Sequence, residues 1–531
     1  MMILLLHPQA SGLITVRMFF NMFYKLLSLF LILIILNGCG GGGKGIPDQL
    51  SALPKEEDNS SEILNPNTEI FIPKESFETP EYKNQWGLDF INASDAYSYG
   101  ASGKGVVVGV VDEAIDWGHH EFLKANILHP ESVLTYSGNR EPTPLEKFHG
   151  TATSSIIAGR KDDELVDKNM HGVAFDAQIL FVAVELGSPP SDGEYEPVDL
   201  PAFSWELFDE QESEFYKALS FESDVINNSF GFTGQITDYS RETLENTFPK
   251  LINTFANEQE TIFVWSAGNY NGIIDTDGET VSASNPGILA GLGYYFPELA
   301  KNNVAVVAVD QNGDIAEFSN RCGVAKEFCI AAPGVKVPLA IPNNLFNSLT
   351  EREKEGFNKD VLDYLEDHPT KAYLLGSGTS FSAPHVTGAI AVLKELFKNN
   401  LSSVQILERL FNTANKEGKY SNREIYGQGL LDLKTASSPV GSTLFYSGSS
   451  IYSDIIPTVN SYVTTSKSFG DALKNSLGNT KLSVFDALGA PFSIPASSFV
   501  KNIIPSSNVM ERLFNFKEKK YGYISSNGFE F

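Results

Sequence analysis

A serine that follows two glycines and precedes an apolar run is the residue of this chain best suited to nucleophilic chemistry. Ser380 follows Gly376 and Gly378, and the run 386–397 has the spacing of a helix. The pattern predicts that Ser380 lies at or just before a helix N-terminus, where unpaired N–H groups favour developing negative charge. We expect Pro384 in the first turn of that helix, where proline is tolerated. A serine that attacks a carbonyl carbon needs such a place, and helix capping is the common alternative role.

Three other polar residues lie at the ends of predicted elements. Asp112 ends the apolar run 103–112, and Asn269 ends the run 261–269. His149 precedes a series of small residues that predicts a helix packed closely on a sheet. Because the carboxyl ends of parallel strands meet at one edge of a sheet, functional groups are expected there. Taken singly, each residue also suits an ordinary strand end, helix start or turn.

In chain order, these segments resemble the subtilisin-like serine proteases, or subtilases. The matching segments are Val111-Asp112 with Ile115-Asp116, His149-Gly150-Thr151, Ser266-Ala267-Gly268-Asn269 and Gly378-Thr379-Ser380-Phe381-Ser382-Ala383-Pro384. The resemblance covers about residues 81–433 and implies a serine endopeptidase that acts on proteins or peptides. It implies Ser380 as nucleophile, His149 as general base and Asp112 as the residue that orients the imidazole. Asn269 and the N–H of Ser380 would hold the oxyanion.

The same resemblance implies where a substrate binds. Ser229, Phe230 and Gly231 resemble the segment that pairs with an extended peptide. Gly268 would help to form the floor of the pocket for the residue before the scissile bond. The resemblance also implies structural calcium, which many relatives use. No spacing of oxygen ligands here is definite enough to assign a metal site, and no cofactor is assigned.

One residue departs from the family's pattern. Glu113 follows Asp112, where the family usually carries serine or threonine and then glycine. A second carboxylate near the site is expected to raise the pKa of His149. The departure leaves open an alternative class, a catalytically impaired module that binds peptides. A third class, an esterase with the same three residues, is disfavoured because the chain lacks a GxSxG elbow with the Ser-Asp-His order.

Predicted strands alternate with predicted helices between residues 81 and 440. This alternation predicts an α/β fold with a doubly wound, mostly parallel sheet and helices on both faces, in three layers. A flexible N-terminal tether precedes this peptidase domain (81–440), and a C-terminal extension (441–531) follows it. Within the domain, the acidic stretch 186–224 is expected to be a solvated surface loop, with a rim for basic peptides or calcium as the alternative.

The N-terminus predicts a lipoprotein. The apolar run 26–36 is short for a bilayer span but suits a signal peptide, which we assign to residues 1–38. The sequence Leu36-Asn37-Gly38-Cys39 resembles a bacterial lipobox, in which the cysteine is lipidated. Cys39 would therefore anchor the chain in a lipid bilayer through the flexible linker 39–80. An uncleaved membrane anchor over residues 18–36 is the alternative.

The flanks resemble autotransporter subtilases, some of which are lipoproteins. The matching segments are Glu78-Thr79-Pro80-Glu81-Tyr82, Gly87-Leu88, the pair Cys322 and Cys329, Tyr426-Gly427-Gln428-Gly429-Leu430-Leu431-Asp432-Leu433, Phe469-Gly470-Asp471-Ala472-Leu473 and Val484-Phe485-Asp486-Ala487-Leu488-Gly489-Ala490-Pro491-Phe492. Those proteins end in a translocating barrel, but only about 90 residues follow Gly441. A barrel of about twelve strands needs more than twice that length. We therefore expect residues 441–531 to be a linker and remnant without a full barrel.

Charge and cysteine content set further limits. The formal charge of -27 argues against nucleic acid as a partner, because phosphate would be repelled. Cys322 and Cys329 could close a small loop in an oxidising compartment, with two buried free thiols as the alternative. With the lipobox, these features place the protein in the cell envelope. We expect a lipoprotein of the outer membrane that is periplasmic or exposed on the surface.

Overall fold

The structure of this protein is a computed structural model that describes most of the chain between residues 72 and 503. The described residues are 72–122, 142–162, 169–184, 205–232, 234–273, 280–355, 359–370, 372–398, 400–446, 455–458, 462–466 and 472–503. The predicted signal peptide (1–38), Cys39, the linker up to residue 71 and the end of the chain from residue 504 lie outside them. None of the described helices is long and apolar enough to cross a membrane.

A parallel six-stranded sheet forms the centre of the described chain, as the alternation of strands and helices predicts. Its strands are β1 Val107–Asp112, β2 Gln178–Ala183, β3 Val225–Asn228, β4 Ile262–Ser266, β5 Asn303–Val309 and β6 Cys329–Pro333. Their order is β2-β1-β3-β4-β5-β6, and every neighbouring pair is parallel. The chain moves outward from β1 to β2, then from β3 towards β6. The predicted doubly wound arrangement is therefore confirmed, and the reversal of direction lies beside β1.

Three smaller groups of strands accompany the sheet. They are the antiparallel pair of β7 Val337–Ala340 with β8 Tyr373–Gly376, the four-stranded sheet of β9 Leu444–Tyr446, β10 Ile455–Pro457, β12 Lys481–Phe485 and β13 Pro491–Pro495, and the parallel pair of β11 Val463–Ser466 with β14 Val500–Ile503. The described helices are α1 Pro80–Asn84, α2 Trp86–Phe90, α3 Ala93–Tyr97, α4 Glu146–Ala158, α5 Trp205–Glu222, α6 Arg241–Thr247, α7 Pro249–Asn257, α8 Ile288–Gly291, α9 Leu345–Ser348, α10 Glu351–Glu355, α11 Lys359–Asp367, α12 Thr379–Leu396, α13 Ser403–Thr413, α14 Arg423–Tyr426, α15 Leu433–Ser437 and α16 Ala472–Ser476.

Helices cover both faces of the six-stranded sheet. Successive residues of a strand point to opposite faces. Val110 and Val264 pack in one buried cluster with helix α12, while Val111 and Phe263 pack in another with helices α5 and α7. Because both faces are buried, the strands read in sequence as continuous apolar runs.

The acidic stretch 186–224 is not a loop throughout. Residues 205–222 form helix α5, so the prediction of a loop is wrong for this part, while residues 185–204 lie outside the described chain. The helix forms because Tyr216 and Leu219 are buried on the sheet, and the Tyr216 hydroxyl donates a 2.6 Å hydrogen bond to Asn228 Oδ1. Acidic residues on its exposed side hide this apolar face in the sequence.

The C-terminal extension also differs from the expected linker where it is described. Val484 and Phe492 are fully buried in the same cluster as Phe397, at the end of helix α12. Arg409 of helix α13 and Asp486 form an ion pair with 2.7 Å between Nη1 and Oδ2, and both side chains are 0% exposed. The described strands after Gly441 are therefore packed on the earlier part of the chain, because apolar residues and a buried charge pair join the two parts.

Candidate active site

Asp112 and His149 form a hydrogen-bonded pair at the carboxyl edge of the sheet. Asp112 ends β1 and is 1% exposed, whereas the side chain of His149, in the first turn of α4, is 27% exposed. The distance from His149 Nδ1 to Asp112 Oδ1 is 2.7 Å. Thr153 Oγ1 donates to Asp112 Oδ2 at 2.9 Å, and the Glu113 N–H donates to Oδ1 at 2.8 Å. Since a carboxylate only accepts, Nδ1 carries the proton and Nε2 is left to act as a base.

Close packing brings His149 to this position. Gly150 follows it in helix α4, and a Cβ at Gly150 would lie 2.1 Å from the carbonyl oxygen of Ala114, just after β1. Only a residue without a side chain permits this approach. The small residues predicted for this helix therefore serve to hold His149 against the end of the strand that carries Asp112.

Glu113 lies beside this pair and is partly exposed. Burial lowers the pKa of His149, but the charge of Asp112, the hydrogen bond to Asp112 and the charge of Glu113 outweigh it, and the net shift is upward. Burial raises the pKa of the Glu113 carboxyl to about 7; His149 opposes this rise, and the charges of Asp112 and Glu146 add to it. The upward shift that the sequence predicts for the pKa of His149 therefore agrees with the structure.

Ser380 is the second residue of helix α12, so its predicted place at a helix N-terminus is confirmed. The ring of the next residue, Phe381, lies 5.8 Å from the imidazole of His149, centroid to centroid. The Ser380 hydroxyl donates a 3.0 Å hydrogen bond to the carbonyl oxygen of Ser229 and forms none with His149 in the described part of the chain. The residue after Ser380 thus packs against His149, while the Ser380 hydroxyl is hydrogen-bonded to Ser229.

Pro384 lies in the second turn of α12, so the expectation of a first-turn proline is wrong. Proline lacks the N–H that would bond to the carbonyl oxygen of Ser380, four residues earlier. Ser229 Oγ donates a 2.8 Å hydrogen bond to this oxygen instead. The helix accommodates the proline because a side chain at the end of β3 replaces the missing donor.

Asn269 follows β4 and is exposed. Its Oδ1 accepts hydrogen bonds from the N–H and the hydroxyl of Thr379, at 2.8 Å and 2.9 Å. A backbone N–H can only donate, so the amide oxygen must face Thr379. Nδ2 then points away, and it donates no hydrogen bond to another described residue. Because Thr379 occupies Oδ1 of Asn269, the amide donor Nδ2 of Asn269 is left unused beside the start of helix α12.

The predicted peptide-binding residues surround this start. Ser229 is buried, and Phe230 packs on Trp265 with 5.9 Å between ring centroids. They follow β3, which ends at Asn228. Gly231 is exposed, with no atom within 4 Å of where a Cβ would be. The backbone at Gly231 is thus open to solvent, and its pairing with a peptide stays a prediction.

The sequence left open whether Cys322 and Cys329 are bonded to each other, and it assigned no metal ligands. The structure joins Cys322 and Cys329 in a disulfide bond. Among the described residues, no group of three or more histidine, cysteine, aspartate or glutamate side chains is arranged to hold a metal ion.

Three residues that sequence reasoning did not single out hold the site together. Thr153 fixes Asp112, Thr379 fixes Asn269, and Asn320 accepts the N–H of Tyr270 at 2.9 Å. The spacing of Thr153, four residues after His149, is a signal that the sequence contained. Asn320 carried no such signal, because it belongs to a separate segment of the chain.

Residues 103–429 match the family model described as the Subtilase family, Peptidase_S8. The chain therefore belongs to the subtilase family. It is 27% identical over 381 residues to the Extracellular serine protease of Serratia marcescens, with 68% of this chain and 34% of that protein covered. It is 29% identical over 440 residues to Serotype-specific antigen 1 of Mannheimia haemolytica, with 72% and 43% covered. The chain thus spans less than half the length of these two relatives.

Shorter relatives and solved structures are also similar. The Major intracellular serine protease of Bacillus subtilis (strain 168) is 25% identical over 329 residues, with 61% of this chain and 80% of that protein covered. The crystal structure of MycP1 from Mycobacterium smegmatis has a TM-score of 0.46 and 21% identity, with 70% of this chain and 87% of that chain covered.

Proposed function

We propose that this protein is a serine endopeptidase that hydrolyses peptide bonds in protein or peptide substrates. The observation that carries the proposal is the buried, threefold hydrogen-bonded Asp112 joined to His149 at the sheet edge where helix α12 presents Ser380. Membership of the subtilase family supports it. Burial of a carboxylate costs free energy unless its charge is paired. The burial of Asp112 is therefore explained if its charge stabilises the imidazole of His149.

In the proposed reaction, Ser380 is the nucleophile. Rotation about its Cα–Cβ bond moves the hydroxyl from the Ser229 carbonyl towards Nε2 of His149, a contact that often tightens only when substrate binds. As Oγ bonds to the scissile carbonyl carbon, its proton passes to Nε2, and Asp112 stabilises the imidazolium. The carbon–nitrogen bond then breaks, and His149 gives the proton to the leaving amine. His149 then takes a proton from water, which attacks the acyl ester; the bond to Ser380 Oγ breaks, the carboxylic acid product leaves, and His149 returns the proton to the Ser380 hydroxyl.

The oxyanion of each tetrahedral intermediate needs donors that are already in place. We assign this task to Nδ2 of Asn269 and the backbone N–H of Ser380. Thr379 supports the assignment because it occupies Oδ1 of Asn269 and leaves Nδ2 unused. The N–H of Ser380 lies in the first turn of a helix, where no intrahelical partner exists.

Substrate recognition is proposed to follow the main chain of an extended peptide. Ser229, Phe230 and Gly231 would pair with it, and Gly268 would form part of the pocket floor. The open space beside Gly231 supports this assignment, since an added strand needs room next to the backbone that it pairs with.

We further propose that lipidation of Cys39 anchors the protein in the cell envelope. The support is the lipobox-like sequence at residues 36–39 and the polar stretch that follows it. One relative is named an extracellular serine protease, which agrees with an exported chain. An outer-membrane lipoprotein that is periplasmic or exposed on the surface is the specific proposal.

Two observations favour a second candidate, a peptide-binding module without activity. The Ser380 hydroxyl is hydrogen-bonded to Ser229, not to His149, and Glu113 replaces the residue that usually follows the aspartate. Hydrolysis of casein, a casein-derived peptide and a matched ester by wild type and Ser380→Ala separates the candidates. The proposal predicts peptide cleavage that is lost in Ser380→Ala. Binding without cleavage would support the module, and cleavage of the ester alone would indicate an esterase.

A further inference from the structure

The turn that carries Asn269 is held from behind by a buried asparagine. The Asn320 N–H donates to the Gly268 carbonyl oxygen at 2.9 Å, and Asn320 Oδ1 accepts the N–H of Tyr270 at 2.9 Å. These two bonds fix the residues immediately before and after Asn269. Asn320 itself is 0% exposed. The position of Asn269 is therefore determined by a residue that substrate does not reach.

The remaining polar groups of Asn320 are also occupied. Its Nδ2 donates to the carbonyl oxygen of Asn285 at 3.0 Å, and its own carbonyl accepts from Ser319 Oγ at 2.8 Å. Each polar atom of Asn320 thus has a partner inside the protein, and the side chain is out of reach of a ligand because it is buried. Asn320 therefore acts through the turn and not by contact with substrate.

The segment that carries Asn320 is anchored on both sides. Before it, the hydroxyl of Ser319 accepts the N–H of Ala308 in strand β5 at 3.1 Å. After it, the Arg321 N–H donates to the carbonyl oxygen of Ala283 at 2.9 Å, and Cys322 is bonded covalently to Cys329 at the start of β6. Because its neighbours are bonded to the central sheet, Asn320 has a fixed position, and it can fix the position of the turn that carries Asn269.

The backbone of the turn explains why a support is needed. Gly268 has a φ of +110°, a conformation that L side chains rarely adopt. A Cβ at Gly268 would lie 3.0 Å from Asn320 Nδ2, so the backbone passes directly over the buried amide. Thr379 holds the Asn269 side chain by its hydrogen bonds to Oδ1. Asn320 holds the backbone of the turn by its hydrogen bonds to Gly268 and Tyr270.

We propose that Asn320 is a positioning residue that aims Nδ2 of Asn269 at the developing oxyanion. This inference rests on the proposed peptidase function. Oxyanion donors stabilise the transition state in proportion to how well they are preplaced, and loss of one donor costs about 100- to 1,000-fold in kcat. Displacement of the turn should forfeit part of this effect and leave substrate binding largely intact.

The test compares Asn320→Ala and Asn302→Ala in the 531-residue chain. Asn302 is an equally buried amide whose Nδ2 donates to two backbone carbonyl oxygens, of Phe255 and Glu258, at the opposite end of β5. Both variants lose a buried amide, so thermal denaturation should show similar destabilisation. Asn320→Ser is the second variant should the alanine variant fail to fold.

The readout is kcat and KM on a fluorogenic peptide taken from casein. We expect Asn320→Ala to lower kcat by about 10- to 100-fold with KM changed less than about threefold, and Asn302→Ala to leave both near wild type. In an Asn269→Ala background, Asn320→Ala should lower kcat by less than about twofold, because the group that it positions is gone.

Three outcomes would overturn the inference. An undiminished kcat in Asn320→Ala and Asn320→Ser would exclude positioning by this residue. An equal fractional loss with and without Asn269 would show that Asn320 acts through general stability. A wild-type chain that neither cleaves the peptide nor reacts with a fluorophosphonate would reject the proposed function itself, and the role of Asn320 with it.

Discussion

Ser229 and Ser380 exchange two hydrogen bonds: each hydroxyl donates to the other residue's carbonyl oxygen, at 2.8 Å from Ser229 Oγ and 3.0 Å from Ser380 Oγ. The first bond replaces the helical donor that Pro384 lacks. The second holds the proposed nucleophile away from His149. The segment proposed to bind substrate is therefore connected directly to the proposed nucleophile.

Removal of the Ser229 hydroxyl should destabilise the helix start. We expect Ser229→Ala to cost about 1–2 kcal/mol in the free energy of unfolding, because the Ser380 carbonyl loses its donor. In a Pro384→Ala background the cost should be smaller, since the backbone N–H at position 384 can then bond to that carbonyl. Denaturant unfolding of the four proteins measures this. Equal costs in both backgrounds would contradict the role assigned to Ser229.

Removal of the Glu113 charge should shift the pH dependence of activity. Glu113 contributes to the raised pKa of His149, and the general base must be deprotonated to work. We expect the acidic limb of the kcat/KM profile in Glu113→Ser and Glu113→Gln to move to lower pH. The wild-type optimum should be alkaline. Glu113→Asp keeps the charge and serves as the control, and an unmoved profile in both neutral variants would refute the coupling.

Loss of one partner of the buried ion pair should be costly. Asp486→Ala leaves the charge of Arg409 in the core without its counter-ion, and we expect a loss of about 3–5 kcal/mol in the free energy of unfolding. Asp314→Ala removes the partner of Lys419 from an exposed pair, in which the side chains of Lys419 and Asp314 are 38% and 63% exposed. That change should cost less than about 1 kcal/mol. Thermal unfolding of both variants measures these losses. Equal losses in the free energy of unfolding would contradict the packing of the C-terminal extension on the rest of the chain.

Lipidation of Cys39 should determine whether the protein is associated with the membrane. We expect Cys39→Ala to release the protein from the membrane fraction of a bacterial host, because one residue would carry the acyl chains. Fractionation and immunoblotting measure this, with Cys322→Ala as a cysteine control that stays bound. A Cys39→Ala protein that remains in the membrane fraction would instead favour the uncleaved anchor.

Much of the central fold could be predicted because parallel strands buried on both faces read as continuous apolar runs. Asp112 and Asn269 could be placed because Asp112 ends one such run and Asn269 lies just after another. Other features arise from contacts between distant segments. Arg409 and Asp486 are 77 positions apart, and nothing local marks them as partners. Asn320 likewise looks like an ordinary turn residue until the fold brings it under Gly268.

Helix α5 shows a different limit. Its acidic residues dominate the composition of the stretch, and the burial of Tyr216 and Leu219 became apparent only against the sheet. Pro384 shows a third limit. The donor that replaces its missing N–H is the hydroxyl of Ser229, which lies 151 positions before Ser380 in the sequence. In both cases tertiary contacts, and not local propensity, decided the structure.

The most direct test of the proposed function is covalent labelling with a fluorophosphonate, located by peptide mapping. The fluorophosphonate forms a bond between its phosphorus and an activated serine Oγ and releases fluoride. We predict one adduct, on Ser380, in wild type, no labelling of Ser380→Ala and much slower labelling of His149→Ala. An unlabelled wild-type protein, or equal labelling of wild type and Ser380→Ala, would contradict the assignment of Ser380 as the nucleophile.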